Sequence, residues 1–144
     1  MNESIASQQV IDTKLHSGFT QLRQTVDSIA RRTLDIMISV LGIVLLAPVL
    51  FLLAVLIKRD SPGPVFYWGE RVGRRGQPFR ILKFRTMYET GDSYSGPRVT
   101  GQGDPRITPF GQWLRETKVN ELPQLWNVLK GDMSLVGPRP EDRD

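Results

Sequence analysis

Residues 36–57 read IMISVLGIVLLAPVLFLLAVLI, with no charged side chain and Ser39 as the one polar interruption. As an α-helix this stretch would be about 33 Å long at about 1.5 Å per residue, close to the roughly 30 Å of bilayer hydrocarbon. A helix on a small soluble domain keeps a polar stripe, so one that is apolar all round belongs in lipid. Pro48 stands in the middle, where it deletes one backbone hydrogen bond and crowds the preceding turn, so a kink is expected there. Arg31 and Arg32 precede the stretch and Lys58 and Arg59 follow it. Basic flanks favour the cytoplasmic side of a membrane. A straight span puts one basic pair on the far side; a helix bent at Pro48 enters and returns on the same face. A kinked span is the other arrangement the residues allow. The re-entrant hairpin is the one expected here, with residues 31–59 as its unit and Arg32 pairing with Asp35 at its boundary.

Working outward, residues 1–30 are polar, with Ile11, Leu15, Leu22, Val26 and Ile29 at steps of three, four or seven. That spacing predicts an amphipathic surface helix rather than a signal peptide, since the apolar run starts late. Residues 60–144 are soluble in character and are expected to form a small cytosolic or interfacial domain. Turns are predicted at 61–64 and 74–78, a short strand or an interfacial aromatic patch at 65–68, a strand around 79–87, and a loop over 89–105. Thr108 and Pro109 open one helix, ending near Thr117. Asn120 is expected to cap a second, with Gly131 as its stop. The fold class is therefore α+β, mostly helical and membrane-associated.

The chain has no cysteine, which excludes disulfides, thiolate metal sites and a cysteine nucleophile. Its one histidine, His16, lies in the polar lead without partners to make it catalytic. Of the formal net charge of +4, a local balance of +5 falls in residues 58–90. Such a patch calls for an anionic partner: phosphate, an anionic lipid surface or nucleic acid. No groove-reading or base-stacking module is visible, so nucleic acid is not expected. Arginines, lysines and a few carboxylates beside a membrane segment suit phosphoryl chemistry: guanidinium forks bind phosphate, and a carboxylate holds a bridging cation.

Residues 83–87 (KFRTM) and 120–140 (NELPQLWNVLKGDMSLVGPRP) resemble the bacterial sugar transferase family, the monotopic polyprenyl-phosphate phosphoglycosyl transferases. The resemblance runs from about Arg31 to Pro140. It implies seating on the cytosolic face of the bacterial inner membrane through a re-entrant helix broken at a proline, here Pro48. It implies transfer of a sugar-1-phosphate from a UDP-sugar to undecaprenyl phosphate with release of UMP and with Mg²⁺ bound nearby. The product would begin capsule, lipopolysaccharide, exopolysaccharide or another glycan. An inactive membrane adaptor that binds nucleotide-sugar or partner proteins is the alternative, and a homo-oligomer is compatible with so short a domain.

Relatives usually carry Asp-Glu where this chain has Asn120-Glu121, and the aspartate forms a covalent phosphosugar intermediate. An amide is a poor nucleophile. Three readings follow: Glu121 attacks, another carboxylate or the lipid phosphate attacks, or the chain is inactive. Relatives also usually continue beyond the Gly-Pro-Arg-Pro turn, so a C-terminally incomplete domain is expected. The candidate residues are Asn120 and Glu121 for catalysis, Glu121 for the metal, and Lys83, Arg85, Asp132 and Arg139 for substrate phosphate. Lys83 and Arg85 are expected to share one strand face.

Overall fold

One helix, α1 (Asn2–Asp60), carries the first part of the chain in the computed structural model. The structure describes residues 2–73, 76–91, 93, 103–137 and 141–142, with side chains described from Thr20 to Gly137 within these ranges. The polar lead and the apolar stretch are a single element, because neither Gly nor Pro stands between Gly18 and Gly42 to interrupt them. Leu22, Val26 and Ile29 lie exposed on it; Ile11, Leu15 and His16 fall outside the described side chains.

Pro48 lies inside α1 without ending it. The helix bent at Pro48 that the sequence leads one to expect is thus one continuous element through the proline. Proline removes a single N–H donor, while the leucines around it are strong helix formers that keep the remaining ladder closed. The face formed by Asp35, Ser39, Leu53 and Ile57 is buried. Leu34, Met37, Leu41, Val44, Leu45, Phe51 and Leu52 point outward and are exposed. Between Thr20 and Asp60, α1 is long and apolar enough to cross a membrane.

Strands β1 (Phe66–Val72) and β2 (Pro78–Phe84) form an antiparallel hairpin, Tyr67 opposite Lys83 and Gly69 opposite Ile81. A two-residue strand, β3 (Glu141–Asp142), pairs with the far edge of β1, giving the order β2-β1-β3. The predicted turn at 74–78 holds at Gly76 (φ +73°); Arg74 and Arg75 lie outside the described residues.

Helix α2 (Pro109–Glu116) begins as its sequence requires, with Thr108 Oγ1 accepting the Gly111 N–H at 2.9 Å. The second helix differs from expectation. Val119–Gln124 is a 3₁₀ segment, η1, followed by α3 (Leu125–Lys130). Asn120 is inside η1 rather than its cap; Lys118 holds the cap position at φ +60°. Pro123 cannot donate an α-type bond, and the tighter 3₁₀ turn accommodates that loss. Gly131 stops α3 in the left-handed conformation, φ +97°.

Leu53 and Ile57 of α1, Phe84 of β2 and Leu114 of α2 form the core, with Leu50, Val65, Phe110 and Val119 packed around them. The hydrophobic core therefore joins the apolar helix to the small α+β body rather than belonging to the body alone.

Candidate functional site

The strand β2 and the segment η1 bring two of the expected residues together. Lys83 Nζ lies 3.1 Å from Glu121 Oε1, with side chains 20 % and 27 % exposed. This is a half-buried ion pair that solvent and ligand can still reach. Glu121 sits in the first turn of η1, its N–H donating to the Lys118 carbonyl. Beside it in sequence, Asn120 Oδ1 is buried with no hydrogen-bond partner among the described residues. A buried carbonyl oxygen without a donor is costly and calls for one.

The relation of β2 to η1 is set by a residue that sequence reading missed. Asn127 of α3 is 1 % exposed. Its Oδ1 accepts the Leu82 N–H at 2.8 Å and its Nδ2 donates to the Arg80 carbonyl at 2.7 Å. One side-chain amide thus stands in for a neighbouring strand on both sides of residue 81. The signal in sequence is an amide among apolar helix positions, between Trp126 and Val128. Nδ2 also donates to Asp132 Oδ2 at 3.0 Å, and Lys130 Nζ lies 3.1 Å from the same oxygen. Asp132 is therefore engaged in closing the end of α3.

Arg85 takes a different task from the one expected. It follows β2 rather than continuing it, and it is 4 % exposed. Its guanidinium donates to the carbonyls of Pro62 at 2.6 Å and Ser61 at 2.7 Å and to Ser61 Oγ at 3.0 Å. It binds the carbonyls of the turn that follows α1. Arg32 and Asp35 likewise do not pair with each other. Arg32 donates to the carbonyls of Val128 at 2.6 Å and Leu129 at 2.7 Å, and Asp35 accepts the Leu135 N–H at 3.1 Å. The carbonyls in the last turn of α3 draw Arg32 across, and the Leu135 N–H in the loop after it draws Asp35. Arg139 lies outside the described residues.

A second cluster was also not foreseen. Arg106 grips Asp104 through Nε at 2.9 Å and Nη2 at 2.6 Å, and Arg115 Nε donates to Thr86 Oγ1 at 2.8 Å. The Arg106 side-chain hydrogen bond, then its backbone N–H, hold Asp104 down to a pKa of about 2. Burial lowers Arg115 from its usual value, and the guanidinium stays charged. Among the described residues no three carboxylates or histidines gather as a metal site. The donors at 120–121 nonetheless fit Mg²⁺, which takes one or two protein oxygens and fills its octahedron with waters and substrate phosphates. Glu121 supplies the carboxylate, and the unpartnered Asn120 Oδ1 is a hard oxygen of the right type.

The chain is similar to known proteins over most of its length. Residues 26–144 match the family model described as bacterial sugar transferase. A UDP-N-acetylgalactosamine-undecaprenyl-phosphate N-acetylgalactosaminephosphotransferase of Aeromonas hydrophila is 47 % identical over 113 residues, 78 % of this chain and 26 % of that protein. An undecaprenyl-phosphate glucose phosphotransferase of Komagataeibacter xylinus is 46 % identical over 114 residues, 79 % of this chain and 21 % of its own. A UDP-glucose:undecaprenyl-phosphate glucose-1-phosphate transferase of Caulobacter vibrioides is 49 % identical over 128 residues, 88 % of this chain and 46 % of its own. The chain thus spans between about a fifth and a half of the length of these relatives. With the family model matching most of its residues, the apolar helix joined to a body that carries the Lys83–Glu121 pair belongs to the bacterial sugar transferase family.

Proposed function

We propose that this chain transfers a sugar-1-phosphate from a UDP-sugar to undecaprenyl phosphate and releases UMP, at the cytosolic face of a bacterial inner membrane. The observation that carries the reading is the half-buried Lys83–Glu121 pair on a body fastened to a long apolar helix. One substrate is soluble and the other is a lipid phosphate, so they meet only at an interface. The names of the relatives support both substrate classes.

The fastening bears on how the helix sits. Arg32 ties the start of the apolar stretch to α3, and Arg85 ties its end to β2. A perpendicular span would drag the polar body attached at both points into hydrocarbon, at prohibitive desolvation cost. Seating by the outward apolar face keeps both basic flanks on one side of the membrane.

In the reaction, the Lys83 ammonium neutralises the incoming diphosphate as a point charge. That contact competes with its hold on the Glu121 carboxylate. A Glu121 oxygen then attacks the phosphorus bearing the sugar, the bond to the bridging oxygen breaks, and UMP departs with the electron pair. An oxygen of the lipid phosphate next attacks the same phosphorus, forming the lipid diphosphate-sugar and returning Glu121 as carboxylate. Asn120, neutral and a poor nucleophile, contributes an acceptor oxygen only. Mg²⁺, held by Glu121 and Asn120 Oδ1, would supply charge neutralisation on the diphosphate.

The test is nucleotide release. Membranes holding the chain are incubated with undecaprenyl phosphate, Mg²⁺ and a panel of UDP-sugars. UMP that forms only with lipid phosphate present is the expected result. UDP in its place means ordinary glycosyl transfer, and neither nucleotide from correctly inserted protein means no transferase; either outcome sinks the proposal.

A further inference from the structure

Tyr67 stands directly across from Lys83 in the β1–β2 ladder. Opposed residues in an antiparallel pair send their side chains to the same face, starting about 5 Å apart. Tyr67 therefore shares a face with the ammonium that meets Glu121. Its neighbours Phe66 and Trp68 project to the other face, where Phe66 stacks on Phe84 at 5.5 Å.

The Tyr67 ring leans along the strand. A Cβ placed on Gly69 would lie 3.0 Å from Tyr67 Cε1 and 3.4 Å from its Oη, so the ring rests over the bare glycine. Gly69 is buried beneath it while Tyr67 stays 49 % exposed. Among the described residues no other ring stacks on Tyr67. A ring braced on one side by backbone and open on the other, next to a cation suited to phosphate, is a stacking platform. Every nucleobase offers a π-face to such a ring, and stacking needs no dedicated hydrogen-bond reader.

We infer that Tyr67 is the nucleobase platform of the nucleotide-sugar site: the base lies on the phenol ring held over Gly69, and the diphosphate runs toward Lys83. This rests on the nucleotide-sugar reading above. It assigns the half-open ring a ligand of one chemical class, a nucleoside diphosphate. Gly69 is then a specificity position as well, since a side chain there lifts the ring from its seat.

The experiment titrates the full chain in lipid nanodiscs with UDP and, separately, with inorganic pyrophosphate, both with Mg²⁺. Tyr67→Ala is expected to weaken UDP binding about tenfold and to leave pyrophosphate binding unchanged. Tyr67→Phe is expected to keep UDP affinity, because the ring remains, and Gly69→Val to lose it as Tyr67→Ala does. If Tyr67→Ala leaves UDP affinity intact, or lowers UDP and pyrophosphate equally, Tyr67 is no base platform and the inference falls alone. If the unaltered chain binds neither probe, the nucleotide-sugar reading fails and takes this inference with it.

Discussion

Asn127 Oδ1 accepts the backbone N–H of Leu82 across 45 residues of sequence, at 2.8 Å. The bond ties α3 to β2 one residue before Lys83, so a slip there would carry Lys83 away from Glu121. Nδ2 completes the lock on the Arg80 carbonyl. Because the side chain is 1 % exposed, water cannot replace these bonds when they are lost.

Replacing Asn127 by Leu keeps the volume and deletes the lock. A buried N–H and a buried carbonyl lose their partner, so stability should drop by about 3 kcal/mol. Denaturant unfolding in detergent micelles measures this. A drop below about 1 kcal/mol means that the strand finds other partners.

Arg85 distinguishes a structural arginine from a phosphate-binding one. Arg85→Lys should destabilise by about 2 kcal/mol, since one ammonium cannot serve Pro62 and Ser61 as the guanidinium fork does. Pyrophosphate affinity of the folded variant should be unchanged. A loss of affinity with intact stability would return Arg85 to the substrate.

The Lys83–Glu121 pair carries the proposed chemistry. Glu121→Gln should cut UMP release by about 10⁴-fold or more, the scale of losing a nucleophile. Lys83→Met should cut release and weaken pyrophosphate binding together. Thermal unfolding should move little in both, because a part-exposed ion pair contributes only about 0.5 kcal/mol. Full UMP release by Glu121→Gln would remove Glu121 from the reaction.

Asp104 has a signed pH dependence. Its carboxyl is held at about 2 in the folded chain against an ordinary value of 3.8, so the folded state favours the ionised form. The stability this contributes is present above about pH 4 and fades as pH falls toward 2. The stability difference between the chain and Asp104→Asn, followed by unfolding at stepped pH, should therefore shrink across that window. A difference that stays constant through it would show that ionisation of Asp104 is not linked to folding.

Much of this architecture was legible beforehand. The charge-free stretch of residues 36–57 marks the apolar helix by composition alone, because lipid and water differ so strongly as solvents. Thr108-Pro109 and Gly131 mark helix ends because capping is local chemistry, readable within four residues. The motif in residues 120–140 pointed to the family, and Lys83 with Glu121 to a site. That these two separately named residues meet at 3.1 Å came from the packing of β2 against η1.

Other features followed from contacts between distant parts of the chain. Strand alternation put Arg85 beside Lys83, yet Arg85 lies past the strand end, where the carbonyls of Ser61 and Pro62 claim it. Arg32 and Asp35 have helix-surface spacing for a pair, and each is drawn away by a backbone group about a hundred residues on. The leaning of Tyr67 over Gly69 depends on strand pairing. Composition, capping and periodicity act within a few residues, so the sequence alone determined the apolar helix, the helix stops and the family. Which polar side chain meets which backbone group is decided where elements pack, and only the tertiary structure showed the backbone partners of Arg32, Arg85 and Asn127.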